Sequence, residues 1–211
     1  MPSSSHFTAF VVTSLVIIVV PGPSVMFVVA RALSYGRKAA VLTVLGNTVG
    51  EYLQVIAVAF GIGAVAERSV AALTALKLVG AAYLVYLGVR TIRERRSLIT
   101  MLQPGQMPSH GRFFLQGLVV GATNPKTVVF LAAILPLFVN RTAGDLPAQI
   151  LVLGAVFSAI ALVSDNAWGL FAGAVRTWFA RSPRRLELIG GLGGLAIVAV
   201  GIRLALTGRK D

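Results

Sequence analysis

The stretch Val19-Val20-Pro21-Gly22-Pro23-Ser24-Val25 lies inside a long apolar run, 7–30, and its two prolines decide how the chain is read. A proline removes a backbone donor and its ring clashes with the preceding turn, so a helix breaks or kinks there. In hydrocarbon the freed carbonyls cannot turn to water, and a break is tolerated only where protein or an aqueous cavity receives it. A second break, Asn124-Pro125-Lys126, falls in another apolar segment, 113–138. Interrupted segments at corresponding places in two halves mark a binding site shared by two membrane repeats.

Composition agrees with a membrane setting. Of 211 residues, 56% are hydrophobic and 12% charged, about half the ~25% usual in soluble domains. Six segments approach the ~20 apolar residues that cross a bilayer: 7–30, 40–62, 70–90, 113–138, 149–175 and 186–206. The third contains Lys77 near one end, where a lysine reaches the interface along its own stem. Met1 to His6 carries no Lys or Arg and no small-residue cleavage pattern follows, so the opening segment reads as a retained helix rather than a signal peptide.

The net charge of +12 sits in loops. No basic stripe carries interleaved aromatics, which excludes nucleic acid as a partner. Arg31, Arg37 and Lys38 occupy the first loop, Arg90, Arg93, Arg95, Arg96 and Arg112 the third, and Arg176, Arg181, Arg184 and Arg185 the fifth: twelve of nineteen basic residues. Loops two and four hold only Arg68 with Glu67 and Arg141 with Asp145. The excess places loops one, three and five in the cytoplasm and both termini outside, against which Arg203, Arg209 and Lys210 weigh mildly. The expected fold is all-α and polytopic: six transmembrane helices in an inverted 3+3 repeat, with helices one and four broken. Residues 1–92 form the first repeat, 93–112 the cytoplasmic connector and 113–211 the second repeat.

Three ionisable residues lie deep in apolar segments: Glu51, Lys126 and Asp165. Each costs about 2.5–3.5 kcal/mol at a helix centre, and such residues face the bundle interior and mark function. Thr43, Asn47, Glu51 and Gln54 share one helix face, either as the lining of a cavity or as a hydrogen-bonded seam between helices. Asp165-Asn166 holds the matching place in the second half, with Ser158 on the same face. A carboxyl group among apolar helices can exchange a proton, so Glu51 and Asp165 are the candidates for proton coupling; Asp165 could instead simply pair with Lys126. Lys126, beside the break at Pro125, could hold an anionic group or serve as a fixed counter-ion. The pairs Gly46/Gly50, Gly117/Gly121, Gly169/Gly173 and Gly190/Gly194 read as close helix approaches. Trp168 and Trp178 read as structural, the latter as an interface anchor. His6 and His110 fall in loops. With no cysteine, disulfides and thiolate metal sites are excluded, and no cofactor or metal is implied.

These motifs resemble the lysine exporter (LysE/RhtB) superfamily. The resemblance is carried by Pro21-Gly22-Pro23, the basic turn Gly36-Arg37-Lys38, Gly46 with Gly50-Glu51, and Lys77 with Gly80-Ala81-Ala82-Tyr83-Leu84 and Gly88. In the second half Phe114, Gly117, Asn124-Pro125-Lys126, Pro136 and Asp165 continue it. Glu51 stands where an aspartate is more usual. The resemblance implies a bacterial cytoplasmic-membrane exporter of amino acids or close derivatives, driven by the proton gradient and often dimeric. On this reading Gly22, Asn47, Glu51, Asn124, Lys126, Asp165 and Asn166 contact the substrate. Lys126 and amides near Gly22 and Asn124 hold its carboxylate, while Glu51 or Asp165 meets its ammonium or carries the proton. A neutral or hydrophilic amino acid fits best, since Lys126 offsets one of the two acids. The alternative is a metal-ion or other cation exporter or channel of the same superfamily; lack of Cys and of membrane histidines disfavours soft metals. An enzyme would need a Ser–His set, paired carboxylates at helical spacing or a His-Glu-x-x-His motif, and the sequence has none.

Overall fold

The computed structural model describes residues 4–68, 70–93, 109–140, 144–175 and 182–206, all of them helical or in short links. Helix α1 is Ser4–Val19 and α2 is Pro23–Tyr35. Helix α3 runs Arg37–Arg68 and α4 runs Val70–Arg93. The second half holds α5, His110–Ala122, and the short α6, Pro125–Val129. A wide turn Phe130–Ile134 and a tight turn Leu135–Leu137 continue α6. Helices α7, Leu146–Ala174, and α8, Pro183–Leu206, complete the chain. His6 and His110 thus lie at the starts of helices, not in loops. Most of the expected connector, 94–108, and Arg141, Arg176, Trp178, Arg181, Arg209 and Lys210 lie outside the described residues. So does the side chain of Lys77.

The apolar segment 7–30 is two helices bent by 49° at the double-proline break. Pro23 opens α2 at a position that needs no N–H. At its far end α2 stops on Gly36, whose φ of 89° is left-handed and whose N–H caps Ala32 O at 2.9 Å. Among the described residues, three stretches are long and apolar enough to span a membrane, Arg37–Gly61, His110–Leu137 and Leu146–Ala174, and the bent pair makes a fourth. The expected third and sixth spans fall on segments only partly described. Helices α4 and α8 occupy the third and sixth expected segments, and the described apolar stretches on them are Leu78–Arg90 and Gly191–Arg203.

Glycines set how the helices meet. On α3 a methyl at Gly46 or Gly50 would overlap the carbonyl oxygen of Phe114 or Leu118. On α5 a methyl at Gly117 or Gly121 would overlap that of Thr43 or Asn47. The two pairs read separately from the sequence are therefore the two sides of one crossing. Gly88 and Gly194 do the same for α4 and α8, where an added methyl would approach the opposing carbonyl to 2.6 or 2.7 Å. Gly193 brings α8 against Pro21 at the first break.

Two apolar cores result. One joins α1, α4, α7, α8, the end of α3 and the segment after α6, with Phe10, Phe130 and Phe157 at its centre; the Phe130 and Phe157 rings stack at 4.8 Å. The other gathers α2, the start of α3 and Ala172 of α7. Along α3, Ala40 and Val44 belong to the second core and Val55 and Ala59 to the first. Asn47, Glu51 and Gln54 come between, in a polar layer that both breaks enter.

Candidate functional site

Each proline leaves a specific backbone acceptor without its helical donor. In a continuous helix the carbonyl of residue i accepts from the N–H of residue i+4. Pro21 denies this to Ile17, Pro23 to Val19 and Pro125 to Gly121. A side chain from elsewhere in the chain reaches each of the three. Lys126 Nζ donates to Ile17 O at 3.0 Å and also to Val20 O at 3.0 Å. Trp168 Nε1 donates to Val19 O at 3.3 Å. Gln54 Nε2 donates to Gly121 O at 2.7 Å, which otherwise receives a longer turn bond from Asn124 N at 3.3 Å. The first break is thus closed by residues of the second half, and the second break by a residue of the first.

The same layer holds both buried acids. Asn47 Nδ2 donates to Glu51 Oε1 and to Asp165 Oδ2, each at 3.2 Å. One amide therefore ties together the carboxylates of α3 and α7. Thr127 Oγ1 donates to Glu51 Oε1 at 3.4 Å. Asn124 caps α6 by accepting from Lys126 N at 3.1 Å, and its Nδ2 reaches Ser24 Oγ at 2.7 Å and Thr127 Oγ1 at 2.9 Å. Gly22 is buried against Lys126: an added Cβ would lie 3.0 Å from Nζ and 3.1 Å from Cδ and Cε. The lysine stem fills the space that a side chain at 22 would take.

Lys126, Glu51 and Asp165 are close enough for their charges to interact. Among the described residues no direct ion pair joins the ammonium to either carboxylate; its partners are the two carbonyls. Glu51 and Asp165 are each 3% exposed and Lys126 6%, so all three charges are buried from solvent. Glu51 Oε2, Asn47 Oδ1, Gln54 Oε1 and Ser158 Oγ are buried there without a hydrogen-bond partner. A fully ionised set of two acids and one lysine carries a net charge of −1, and one further cation, a proton or an ammonium group, would neutralise it.

Of the residues expected at the site, Pro21, Gly22, Pro23, Asn47, Glu51, Asn124, Pro125, Lys126 and Asp165 meet in this layer. Asn166 does not join the network: its Nδ2 donates to Leu162 O at 2.8 Å within its own helix. Ser24, Thr127 and the donor roles of Gln54 and Trp168 were not foreseen. Gln54 lay on the polar stripe, and Ser24 and Thr127 lie just after the prolines. Nothing in the sequence ties Trp168 to the break at Pro23.

Residues 15–208 match the family described as LysE type translocator. A homoserine/homoserine lactone efflux protein of Salmonella typhimurium is 30% identical over 197 residues, 93% of this chain and 94% of that protein. An uncharacterized membrane protein of Vibrio cholerae is 32% identical over 198 residues, 93% of this chain and 95% of the other. A leucine efflux protein of an Enterobacter species is 25% identical over 201 residues, with 95% of both chains covered. No solved structure matches the chain.

Proposed function

Since the chain belongs to the LysE family of translocators, we propose that it exports an amino acid or a close derivative across the bacterial cytoplasmic membrane. The observation that carries this reading is the shared layer at the two breaks, where Glu51 and Asp165 hang on one Asn47 amide beside Lys126. Membrane-buried charges with these neighbours are costly and serve transport pathways and proton relays. Relatives named for efflux of homoserine, its lactone and leucine support a small neutral amino acid as substrate.

The proposed architecture is six spans in two oppositely oriented triplets, 1–92 and 113–211, with 93–112 as the inner joint. Basic loops face the cytoplasm and both termini face outward. Substrate enters the layer from the cytoplasm, held between the charges of Lys126, Glu51 and Asp165, and leaves outward as the triplets rock. A proton moves the other way on Glu51 or Asp165, whose shared donor lets either acid be neutralised without breaking the network. The crossing of α3 and α5 links the triplets, and the mutual repair of the breaks couples their shapes.

The test is export from proteoliposomes loaded with L-homoserine or L-leucine under an imposed proton gradient. Gradient-driven export is expected from the wild-type protein, and its loss or uncoupling in Glu51→Gln and Asp165→Asn. Unchanged coupled export in both variants would refute the proposed site. Metal-ion flux from the same vesicles without amino-acid flux would favour the cation exporter instead.

A further inference from the structure

We infer that the carbonyl oxygens of Ile17 and Val20 form the subsite for the primary ammonium group of the transported amino acid. Lys126 is its resident occupant and leaves when substrate arrives. This deepens the export reading and rests on it.

The argument begins with the difference between the two breaks. At Pro125 the orphaned carbonyl of Gly121 is met by the neutral amide of Gln54 at 2.7 Å. At Pro23 the carbonyl of Val19 is met by the neutral indole of Trp168 at 3.3 Å. Neutral donors thus suffice to repair a proline break in this fold. At Pro21 the repair is made by a buried lysine, although burying a charge costs several kcal/mol even after relaxation. Structural repair alone does not account for a cation in that place.

The carbonyls themselves are suited to a cation. They lie at the C-terminal end of α1, the negative end of its dipole, and both are 3.0 Å from the ammonium nitrogen. A primary ammonium is the group they already hold, and a substrate's α-ammonium presents the same three donors. Glycine at 22 leaves room for an occupant beside these carbonyls, because even a methyl there would lie 3.0 Å from Lys126 Nζ.

Lys126 has somewhere else to go. Glu51 Oε2 is buried and has no partner, and the charges of both acids act on the lysine without a direct pair. When the substrate ammonium takes the carbonyls, the lysine turns on its flexible stem toward Glu51 and Asp165. The two acids then face two cations instead of one. The substrate's ammonium supplies the second cation, and because its α-carboxylate keeps the net charge of the set at −1, a proton on Glu51 or Asp165 completes neutrality.

The experiment uses the purified full chain in detergent and follows thermal unfolding. Propylammonium replaces the atoms removed in Lys126→Ala. It is expected to stabilise that variant saturably, and wild type only at roughly tenfold higher concentration because Lys126 must first be displaced; 1-propanol should stabilise neither. Adding Pro21→Ala gives Ile17 O an intrahelical donor and should weaken the propylammonium response roughly tenfold, the loss of one charge-assisted hydrogen bond. An undiminished response with Pro21→Ala would place the ammonium on the acids and overturn the proposal, as would no response at all. Lys126→Met covers the case in which the alanine variant does not fold. With no cation to displace, it should bind whichever of L-homoserine and L-leucine the wild type binds roughly tenfold more tightly, with no gain for the matching 2-hydroxy acid. Equal or weaker binding of the amino acid would overturn the proposal. Loss of the ammonium response with export intact sinks the subsite alone, whereas absence of export with that response intact sinks the transport reading.

Discussion

Replacing Gln54 with leucine should destabilise the fold by about 1 kcal/mol, and the cost should vanish when Pro125 is replaced as well. Gln54 is 8% exposed and its Nε2 meets Gly121 O at 2.7 Å. Leucine keeps most of the volume, so the packing change is small and the lost bond dominates. An unmet buried acceptor costs about 1–3 kcal/mol. Two facts pull the value to the low end. Gly121 O retains its 3.3 Å bond from Asn124 N, and hydrogen bonds inside membranes average about 0.6 kcal/mol in double-mutant cycles, with a maximum of ~1.7. In Pro125→Ala the residue at 125 has an N–H aimed at Gly121 O, so that carbonyl no longer needs Gln54. The double-mutant cycle should therefore show a coupling energy of about 1 kcal/mol. Reversible unfolding in mixed micelles, followed by circular dichroism, supplies all four stabilities. A Gln54→Leu cost that is the same in both backgrounds, to within about 0.3–0.5 kcal/mol, would refute the claim that this side chain answers that proline. The cycle also separates stability from function: Pro125→Ala should be well folded yet export poorly, because a straightened helix withdraws Lys126 and Thr127 from the layer.

The glycine crossing predicts a contrast between two Gly→Ala changes. Gly117→Ala sets a methyl against the backbone carbonyl of Thr43 and should cost at least ~2 kcal/mol, since the obstacle is main chain and cannot rotate away. Gly61→Ala, on the same α3 but with nothing within 4 Å of the new methyl, should raise stability by about 0.5–1 kcal/mol through helix propensity; thermal unfolding compares them directly. Asn47 and Asn166 predict a second contrast, read as initial export rates from vesicles. Asn47→Ala removes the shared donor of Glu51 and Asp165 and should slow export at least ~10-fold, whereas Asn166→Ala, whose amide serves only Leu162 O, should change it by less than ~2-fold.

What the sequence makes legible here is whatever a one-dimensional pattern can encode. Prolines inside apolar runs announce the breaks, because proline acts on its own backbone. Glu51, Lys126 and Asp165 announce the polar layer, because a buried charge is costly wherever the chain places it. The glycine pairs announce close approaches, but Gly46 and Gly117 carry no sign that they face each other, since partner choice depends on the path of the chain between them. Least legible is the direction of Lys126. Its position beside Pro125 pointed to an anion, by the usual pairing of opposite charges. The structure turns its ammonium instead toward the carbonyl of Ile17, which Pro21 stranded more than a hundred positions earlier. Charge alone does not say whether a lysine answers a carboxylate or the negative end of a broken helix. That choice is made by which acceptor has already lost its donor, and a proline far away in the chain decides it.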